Sequence, residues 1–298
     1  MEAWGAIEAG GTKFVCAVGT GPEQILAEKR IPTGSPYATL SEVIAFFAEQ
    51  QRKGVQLRAV GVGSFGPLVL DPTAPDYGCI VNTPKPEWSG LNVLRPLERN
   101  LGVPVRLETD VNAALWGEWR WGAARGLSHV LYMTVGTGIG GAALVQGHLL
   151  QGAWHPEMGH LRLPRDPEDN FPGVCPYHGA CLEGLASGPA LKARWNVEPF
   201  ELPTHHQAWA LEARYLALAL VNLIVTLVPQ RIILGGGVMQ QMQLFPLIRK
   251  QVKTLLGGYL RLPELLHTQL ETYIVPPLLG QRAGLLGALA LAMETSAS

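Results

Sequence analysis

Two glycine-centred hairpin patterns constrain the fold of this 298-residue chain more than any other feature. Residues 6–18 read as strand, tight turn and strand, with the turn at Gly10, Gly11, Thr12 and Lys13. The same order returns about 125 residues later, where a strand at 130–135 precedes Gly136-Thr137-Gly138-Ile139-Gly140-Gly141 and a strand at 142–145. We interpret the recurrence as an internal duplication, which predicts two related α/β lobes.

The second glycine run matches the G-x-G-x-x-G pattern of dinucleotide-binding folds, which is meaningful only when a helix follows. Here a strand follows, so the sequence disfavours an NAD-dependent dehydrogenase. A glycine hairpin can bring backbone N–H groups close to phosphate oxygens, although a single one can equally be a turn without a ligand. A third glycine turn, at Gly235-Gly236-Gly237, lies between a strand and a predicted helix, whose N-terminus would favour phosphate or leave room for adenine. The three turns together favour a nucleotide.

Four candidate metal ligands lie within 22 residues: His160, then Cys175, His178 and Cys181 in a C-x₂-H-x₂-C pattern. These ligand types and spacings are typical of tetrahedral zinc. A closed set of four leaves no coordination position for a substrate, which predicts a structural metal and disfavours a zinc hydrolase. The alternatives are a Cys175–Cys181 disulfide, which a reducing compartment disfavours, and four unrelated residues. The ligands fall in a loop-rich segment, 151–190.

Several polar residues are candidates for chemistry, each with an ordinary structural alternative. Asp110 lies between a predicted strand and a predicted helix, where it could accept a proton from a hydroxyl or cap the helix. Asn82 could bind a polyol or build the turn before Pro84. Glu157 and Glu183 each lie within three residues of a candidate metal ligand, so they could clamp sugar hydroxyls or remain solvated surface groups. His160 could present one ring nitrogen to zinc and the other to a substrate.

Composition narrows the class of protein. The chain is 47% hydrophobic and 16% charged, with a net charge of −1, which is typical of a soluble globular protein and gives no electrostatic footprint for nucleic acid. The first residues lack the pattern of a signal peptide, and the apolar run at 284–293 is too short to span a bilayer. We therefore expect a cytoplasmic protein without nucleic-acid or membrane partners. Residues 40–51 predict a helix, with Ser41 as its cap.

The ordered motifs closely resemble the ROK family of sugar kinases and, within it, the zinc-containing bacterial fructokinases. The resemblance extends from about residue 5 to residue 290. Its most specific parts are Glu-Met-Gly-His and Cys-x-x-His-x-x-Cys. The motifs that carry it are 8–13 (EAGGTK), 82–85 (NTPK), 109–114 (TDVNAA), 136–141 (GTGIGG), 157–160 (EMGH), 175–183 (CPYHGACLE) and 234–238 (LGGGV).

The resemblance implies a two-lobed actin/hexokinase-like α/β fold, a repeated ribonuclease H-like unit with a cleft between lobes. The expected lobes are 1–113 with 283–298, and 114–282 with the zinc-binding insertion 151–190. The implied reaction is ATP-dependent, Mg²⁺-assisted phosphorylation of a hexose, with fructose to fructose 6-phosphate expected first. Alternatives are a glucokinase, mannokinase or N-acetylhexosamine kinase of the same family, and a non-catalytic sugar-sensing protein. Family members often form homodimers.

The resemblance also assigns roles to residues. Asp110 would be the catalytic base, and zinc would be held by His160, Cys175, His178 and Cys181. The sugar would be held by Asn82, Asn112, Glu157, His160 and Glu183. The nucleotide would be bound by Gly10, Gly11, Thr12, Lys13, Thr137, Gly138, Gly188, Gly235, Gly236 and Gly237. Many relatives carry Asp where this chain has Glu8. The longer side chain could reach the Mg²⁺ ion through water, or another residue could take that role.

Overall fold

The computed structural model describes residues 1–260 and 270–295, so the parts of the expected lobes at 261–269 and 296–298 lie outside the described residues. The described residues form two compact units. Unit 1 comprises Met1–Arg125, Gln151–His155 and the described residues from Gln281 onward. Unit 2 comprises Gly126–Leu150 and the described residues of Pro156–Gly280.

Unit 1 is built on a mixed five-stranded sheet. Strands β1 (Glu2–Ala9), β2 (Lys13–Gly21) and β3 (Gln24–Pro32) form an antiparallel meander. Strands β4 (Gln56–Ser64) and β5 (Val105–Thr109) then add in parallel beside β1, giving the order β3-β2-β1-β4-β5. The carboxyl ends of β1, β4 and β5 therefore lie at one edge of the sheet.

Unit 2 repeats this connectivity. An antiparallel meander is formed by β6 (Val130–Val135), β7 (Ile139–Val145) and β8 (His148–Leu149). The parallel additions are β9 (Arg231–Gly235) and β10 (Ile274–Val275), in the order β8-β7-β6-β9-β10. The shared strand order supports the internal duplication inferred from the two glycine hairpins.

Helices cover these sheets. Those described are α1 (Pro36–Arg52), α2 (Leu94–Leu101), α3 (Asp110–Trp121), α4 (Leu182–Ala186), α5 (Gly188–Trp195), α6 (Ala208–Leu227), α7 (Leu244–Leu256), α8 (Leu270–Tyr273) and α9 (Ala283–Thr295). The expected lobe boundary after residue 113 falls inside α3, whereas the contacts divide the chain after Arg125. The predicted cap at Ser41 is wrong: α1 begins five residues earlier, after Ser35, with Pro36 at its first position. Proline suits that position because its missing N–H would have no partner in the helix.

Helix α9 packs on the unit 1 sheet and on α3 at glycine contacts that leave no room for a side chain. A Cβ added at Gly61 of β4 would lie 1.9 Å from the carbonyl oxygen of Ala288. A Cβ added at Gly287 would lie 1.7 Å from the carbonyl oxygen of Ala113. Since α3 begins at Asp110, these contacts fix the backbone that carries that carboxylate.

The core of unit 2 surrounds α6, whose buried side chains include Trp209, Tyr215 and Leu220. Among the described residues, α6 is the one helix whose length and hydropathy would allow it to cross a bilayer, with a mean hydropathy of 1.6. Half of that stretch is buried inside the protein, as in the central helix of a packed core.

Candidate functional site

The first glycine turn lies at the carboxyl edge of the unit 1 sheet, directly after β1. The Gly10 N–H donates to the Lys13 carbonyl oxygen at 3.0 Å, and Thr33 Oγ1 donates to the Gly10 carbonyl oxygen at 2.8 Å. A Cβ at Gly10 would lie 2.9 Å from the Lys13 carbonyl oxygen, which explains the need for glycine. The predicted hairpin is confirmed, since β1 and β2 pair antiparallel on either side of this turn.

Asp110 lies at the same edge, immediately after β5. The cap of α3 is Thr109, whose side chain accepts from the Asn112 N–H at 3.1 Å, so the capping role considered for Asp110 belongs to its neighbour. One carboxylate oxygen of Asp110 accepts from the Val111 N–H at 2.8 Å. Burial raises the pKa of Asp110 to about 6, only partly opposed by that hydrogen bond. A partly buried carboxyl with this pKa is half ionised near pH 6 and suits proton transfer near neutral pH.

Glu8, near the end of β1, is a second partly buried carboxyl in this region. Burial first, and then the negative charge of Asp110, raise the pKa of Glu8 to about 7, while Lys13 lowers it. Because Coulomb interactions are reciprocal, ionising either carboxyl makes the other harder to ionise. The family resemblance marks Glu8 only for its greater length than Asp, so this interaction with Asp110 was not predicted from the sequence.

Asn112 points its amide at a partner that sequence reasoning missed. Its side-chain N–H group donates to Glu108 Oε2 at 2.9 Å, and the residue is only 4% exposed. Burial raises the pKa of Glu108, while Asn112 and Arg106 lower it. Glu108 lies in β5 and Asn112 in α3, so the helical i, i+4 spacing does not apply and no sequence signal predicted the pair. A sugar-binding role for Asn112 stays a prediction.

Asn82 is exposed and adopts a left-handed backbone conformation, with φ of 49°. Asparagine tolerates this conformation better than most residues, so the turn-building role is observed here. A role in binding sugar stays a prediction.

The four predicted metal ligands converge. Their ligand atoms all lie within 4.8 Å of one another, and both cysteines are free thiols, which excludes the disulfide alternative. The Nδ1 atoms of His160 and His178 are 3.3 Å apart, and His160 Nδ1 lies 3.5 Å from Cys181 Sγ and 3.7 Å from Cys175 Sγ. Zinc bonds of about 2.3 Å to sulfur and about 2.0 Å to nitrogen give tetrahedral edges of about 3.3 Å for N–N and about 3.5 Å for S–N. The donor set and its spacing therefore fit a tetrahedral zinc ion.

The segment that carries Glu157 and His160 is pressed against the unit 2 sheet. Residues Met158–His160 form a short 3-10 turn, and a Cβ at Gly159 would lie 1.8 Å from the carbonyl oxygen of Ile139 in β7. Glu157 itself is exposed, and its carbonyl oxygen accepts from the His160 N–H at 3.0 Å. His160 directs Nδ1 to the metal cluster, consistent with the predicted use of one ring nitrogen there.

The second glycine turn, Gly136-Thr137-Gly138, joins β6 to β7 as an antiparallel hairpin, which confirms the predicted strand after it. The Gly136 N–H donates to the Gly138 carbonyl oxygen at 2.9 Å. The Ile139 N–H donates to Glu183 Oε2 at 2.9 Å, and the Gly188 N–H donates to the Gly136 carbonyl oxygen at 2.8 Å. Glu183 and Gly188 therefore both contact the turn directly.

The third glycine turn follows β9, beside the second one. Gly236 has φ of 93°, and a Cβ there would lie 2.3 Å from the Val135 carbonyl oxygen. The expected helix directly after the turn is wrong: a three-residue 3-10 turn, Val238–Gln240, comes first, and α7 begins only at Leu244. Helix-dipole stabilisation of a phosphate by α7 is therefore not available at Gly237.

The structure thus brings the predicted residues together in two sets. In unit 1, the Gly10–Lys13 turn and Asp110 share one sheet edge. In unit 2, the metal ligands, Glu183, Gly188 and the second and third glycine turns lie together. Sequence reasoning also gave no role to His155, which is buried and accepts from the Leu68 N–H through Nε2 at 3.0 Å.

Comparisons with known proteins agree with this arrangement. A model of the ROK family matches residues 4–295. Curated fructokinases from Pediococcus pentosaceus and Zymomonas mobilis are 43% and 41% identical, over 97% of this chain and 96% of their own lengths.

Two solved structures share the fold. A ROK hexokinase from Thermus thermophilus is 28% identical with a TM-score of 0.78, covering 99% of this chain and 100% of its own. A ROK-family glucokinase from Streptomyces griseus, solved with glucose and AMPPNP, is 26% identical with a TM-score of 0.76, covering 98% of this chain and 99% of its own. The chain therefore belongs to the ROK family and has the α/β, actin-like fold of that family's sugar kinases.

Proposed function

We propose that this protein is a fructokinase, which transfers the γ-phosphoryl group of ATP to O6 of fructose. The observation that carries the proposal is the 38–43% identity of the chain to four curated fructokinases over more than 90% of its length. The glucokinase structure is more distant, at 26% identity. The alternative acceptors are glucose, mannose and N-acetylhexosamines, the substrates of other kinases that the family resemblance allows.

Asp110 is proposed as the general base. Its carboxylate follows β5 and is not needed as the cap of α3, because Thr109 fills that role. Burial raises its pKa to about 6, so it is mostly ionised at pH 7 and still basic enough to take the proton of the attacking hydroxyl. Phosphoryl transfer depends mainly on positioning and charge stabilisation, so one well-placed base is the main proton chemistry required.

The remaining residues are proposed to bind the two substrates. Glu157, His160, Glu183 and Asn112 hold sugar hydroxyls, with Asn82 nearby. The turns at 10–13 and 136–138 present backbone N–H groups to the ATP phosphates, with Gly188 beside the second turn. The Gly235–Gly237 turn accommodates the adenosine, where glycine allows close approach to the backbone.

Two metal ions are proposed. Zn²⁺ is held by His160, Cys175, His178 and Cys181, whose mutual distances fit a tetrahedral site. This zinc is structural and fixes the loops that carry Glu157 and Glu183. When bound with ATP, Mg²⁺ supplies neutralisation of phosphate charge, and Glu8 is the carboxylate that would help to hold it.

We place the protein in the cytoplasm, where its substrates would be available, with no nucleic-acid or membrane partner. A homodimer is the assembly expected from the family resemblance. Sedimentation velocity at micromolar concentration tests it, and a single species of about 32 kDa, the mass of one chain, would contradict it.

The proposed activity is tested by measuring ADP release with Mg²⁺-ATP and a panel of fructose, glucose, mannose and N-acetylhexosamines. The Asp110→Asn variant is the matched control for ADP release that does not depend on this site. Turnover led by fructose supports the proposal, and turnover led by another hexose moves the specificity while retaining the kinase. Sugar-independent ATP hydrolysis alone, or no ADP release by zinc-replete protein, would contradict it.

A further inference from the structure

The segment that follows Cys181, the last of the four metal ligands, forms hydrogen bonds with both ends of the second glycine turn. Cys181 caps α4, with its Sγ accepting from the Gly184 N–H at 3.5 Å. Two residues later, Glu183 Oε2 accepts from the Ile139 N–H at 2.9 Å, at the far end of the turn. Just past α4, the Gly188 N–H donates to the Gly136 carbonyl oxygen at 2.8 Å, at the near end.

The other ligand segment presses on the same hairpin. Gly159, beside the metal ligand His160, lies so close to Ile139 that a Cβ would be 1.8 Å from the Ile139 carbonyl oxygen. Met158 packs on Gly141 of β7, where an added Cβ would lie 2.7 Å from its sulfur atom. The 158–160 segment therefore contacts β7 just after the turn, and the segment that follows Cys181 contacts both ends of the turn.

The Glu183 carboxylate also lies against Gly138 of the turn. A Cβ at Gly138 would lie 2.6 Å from Glu183 Oε2, so the carboxylate rests directly on the turn backbone. The side chain is half-buried, and a hydrogen bond from an N–H to a carboxylate is stronger than one to a neutral oxygen. A contact of this kind selects one backbone conformation of a turn that its glycines would otherwise leave free.

We propose that Glu183 is a positioning residue of the 136–139 turn and that it transmits the geometry of the metal cluster to the nucleotide. This inference rests on the proposed function, in which the turn binds the ATP phosphates. Glu183, already proposed to hold the sugar, would then also hold the turn. One carboxylate oxygen holds the turn, which leaves the other for a hydroxyl. Loss of the metal would then weaken nucleotide binding as well as sugar binding.

Three substitutions at one position separate the two tasks. Glu183→Gln keeps an oxygen that can accept from the Ile139 N–H, although it removes the charge. Glu183→Asp keeps the charge, but its shorter side chain withdraws the carboxylate from the turn. Glu183→Ala removes both. Zinc content and circular dichroism of each variant verify that the cluster and the fold are retained, and the Asp variant replaces Ala if Ala fails to fold.

The first readout is ADP affinity, measured by calorimetry without sugar. We expect Glu183→Ala and Glu183→Asp to bind ADP about 3- to 10-fold more weakly than the wild type, the range that corresponds to losing one hydrogen bond. Glu183→Gln should bind ADP within about twofold of the wild type. Unchanged ADP affinity in Ala and Asp, or a Gln variant as weak as Ala, would overturn the proposal.

The second readout is hydrogen–deuterium exchange of the peptide that contains the Ile139 amide. Exchange there should be faster in Glu183→Ala, faster in wild type stripped of metal by a chelator, and normal in Glu183→Gln. If chelation speeds exchange only in the ligand segments and leaves residues 136–139 unchanged, the link to the metal is wrong. A wild type that binds ADP but does not phosphorylate fructose would refute the proposed function, whereas these comparisons would still decide the role of Glu183.

Discussion

The acidic limb of the pH–rate profile tests the role of Asp110. If Asp110 must be ionised to accept the proton, a pKa of about 6 leaves it about nine-tenths ionised at pH 7 and about one-tenth ionised at pH 5. The value of kcat/KM for fructose should therefore fall about tenfold between pH 7 and pH 5. Because Glu8 interacts with Asp110 and has a pKa of about 7, the limb reports the pair of carboxyls rather than one residue.

Asp110→Asn removes the base while keeping the shape of the side chain. We expect kcat to drop by about 10²–10⁴, the usual contribution of a general base. The acidic limb should shift to lower pH, because it then reports Glu8 alone and the charge of Asp110 no longer raises the pKa of Glu8. The variant should be no less stable at pH 8, because a carboxyl whose pKa is raised by folding opposes folding once it is ionised. Fructose binding should be retained, which separates a loss of chemistry from a loss of the site.

The assay is steady-state ADP release at saturating Mg²⁺-ATP from pH 5 to pH 9, together with urea unfolding at each pH. Asp71→Asn is the matched control, since Asp71 is an exposed carboxylate of the same unit that accepts from Thr73. The control should keep both rate and limb. Near-normal kcat in Asp110→Asn, or an unchanged acidic limb, would refute the assignment.

Four further predictions follow from individual contacts. Ionisation of Glu8 should contribute up to about 3 kcal/mol to the unfolding free energy that the wild type loses as pH rises from 4 to 8, because native Glu8 releases its proton near pH 7 and the unfolded chain near 4.5. In urea unfolding, Glu8→Gln should lack this contribution and keep the loss that is due to Asp110. Gly287→Ala should lower the free energy of unfolding by about 1–3 kcal/mol in the same experiment. The clash with the Ala113 carbonyl oxygen outweighs a gain in helix propensity of about 1 kcal/mol. A variant more stable than the wild type would contradict the close packing at Gly287. Chelation, or Cys181→Ser, should lower the zinc content measured by mass spectrometry and the melting temperature, and full stability without zinc would exclude a structural metal. Glu212→Leu should raise the melting temperature. Glu212 is a fully buried carboxyl of α6 whose two oxygens have no hydrogen-bond partner among the described residues, and burial raises its pKa. A lower melting temperature would indicate that the carboxyl has a partner.

Local patterns predicted the parts of the fold that local chemistry determines. Each glycine hairpin was predictable because strand, turn and strand are consecutive in the chain, and the paired sheets confirm both. The metal cluster was predictable because three of its ligands lie within seven residues, and the structure brings His160 to them. The repeated strand order follows from the two hairpins and the parallel strands after each.

Features that depend on competition between neighbours were harder to predict. Thr109 and Asp110 are both good caps, and only the backbone at the end of β5 shows that Thr109 takes the cap and leaves Asp110 to the site. The start of α7 was misplaced because a triple glycine marks a turn without fixing how soon a helix can form after it. The Glu183–Ile139 bond joins residues 44 positions apart and involves a backbone N–H, so no side-chain pattern records it.

The proposed activity and the role of Asp110 are tested most directly by identifying the product formed from fructose and ATP. The product is identified by ³¹P and ¹³C nuclear magnetic resonance, for the wild type and for Asp110→Asn. A fructokinase with Asp110 as its base should form one sugar product phosphorylated at C6, and the variant should form it at least about 10²-fold more slowly than the wild type. Phosphate on another carbon, no sugar phosphate at all, or equal rates in the two proteins would contradict this prediction.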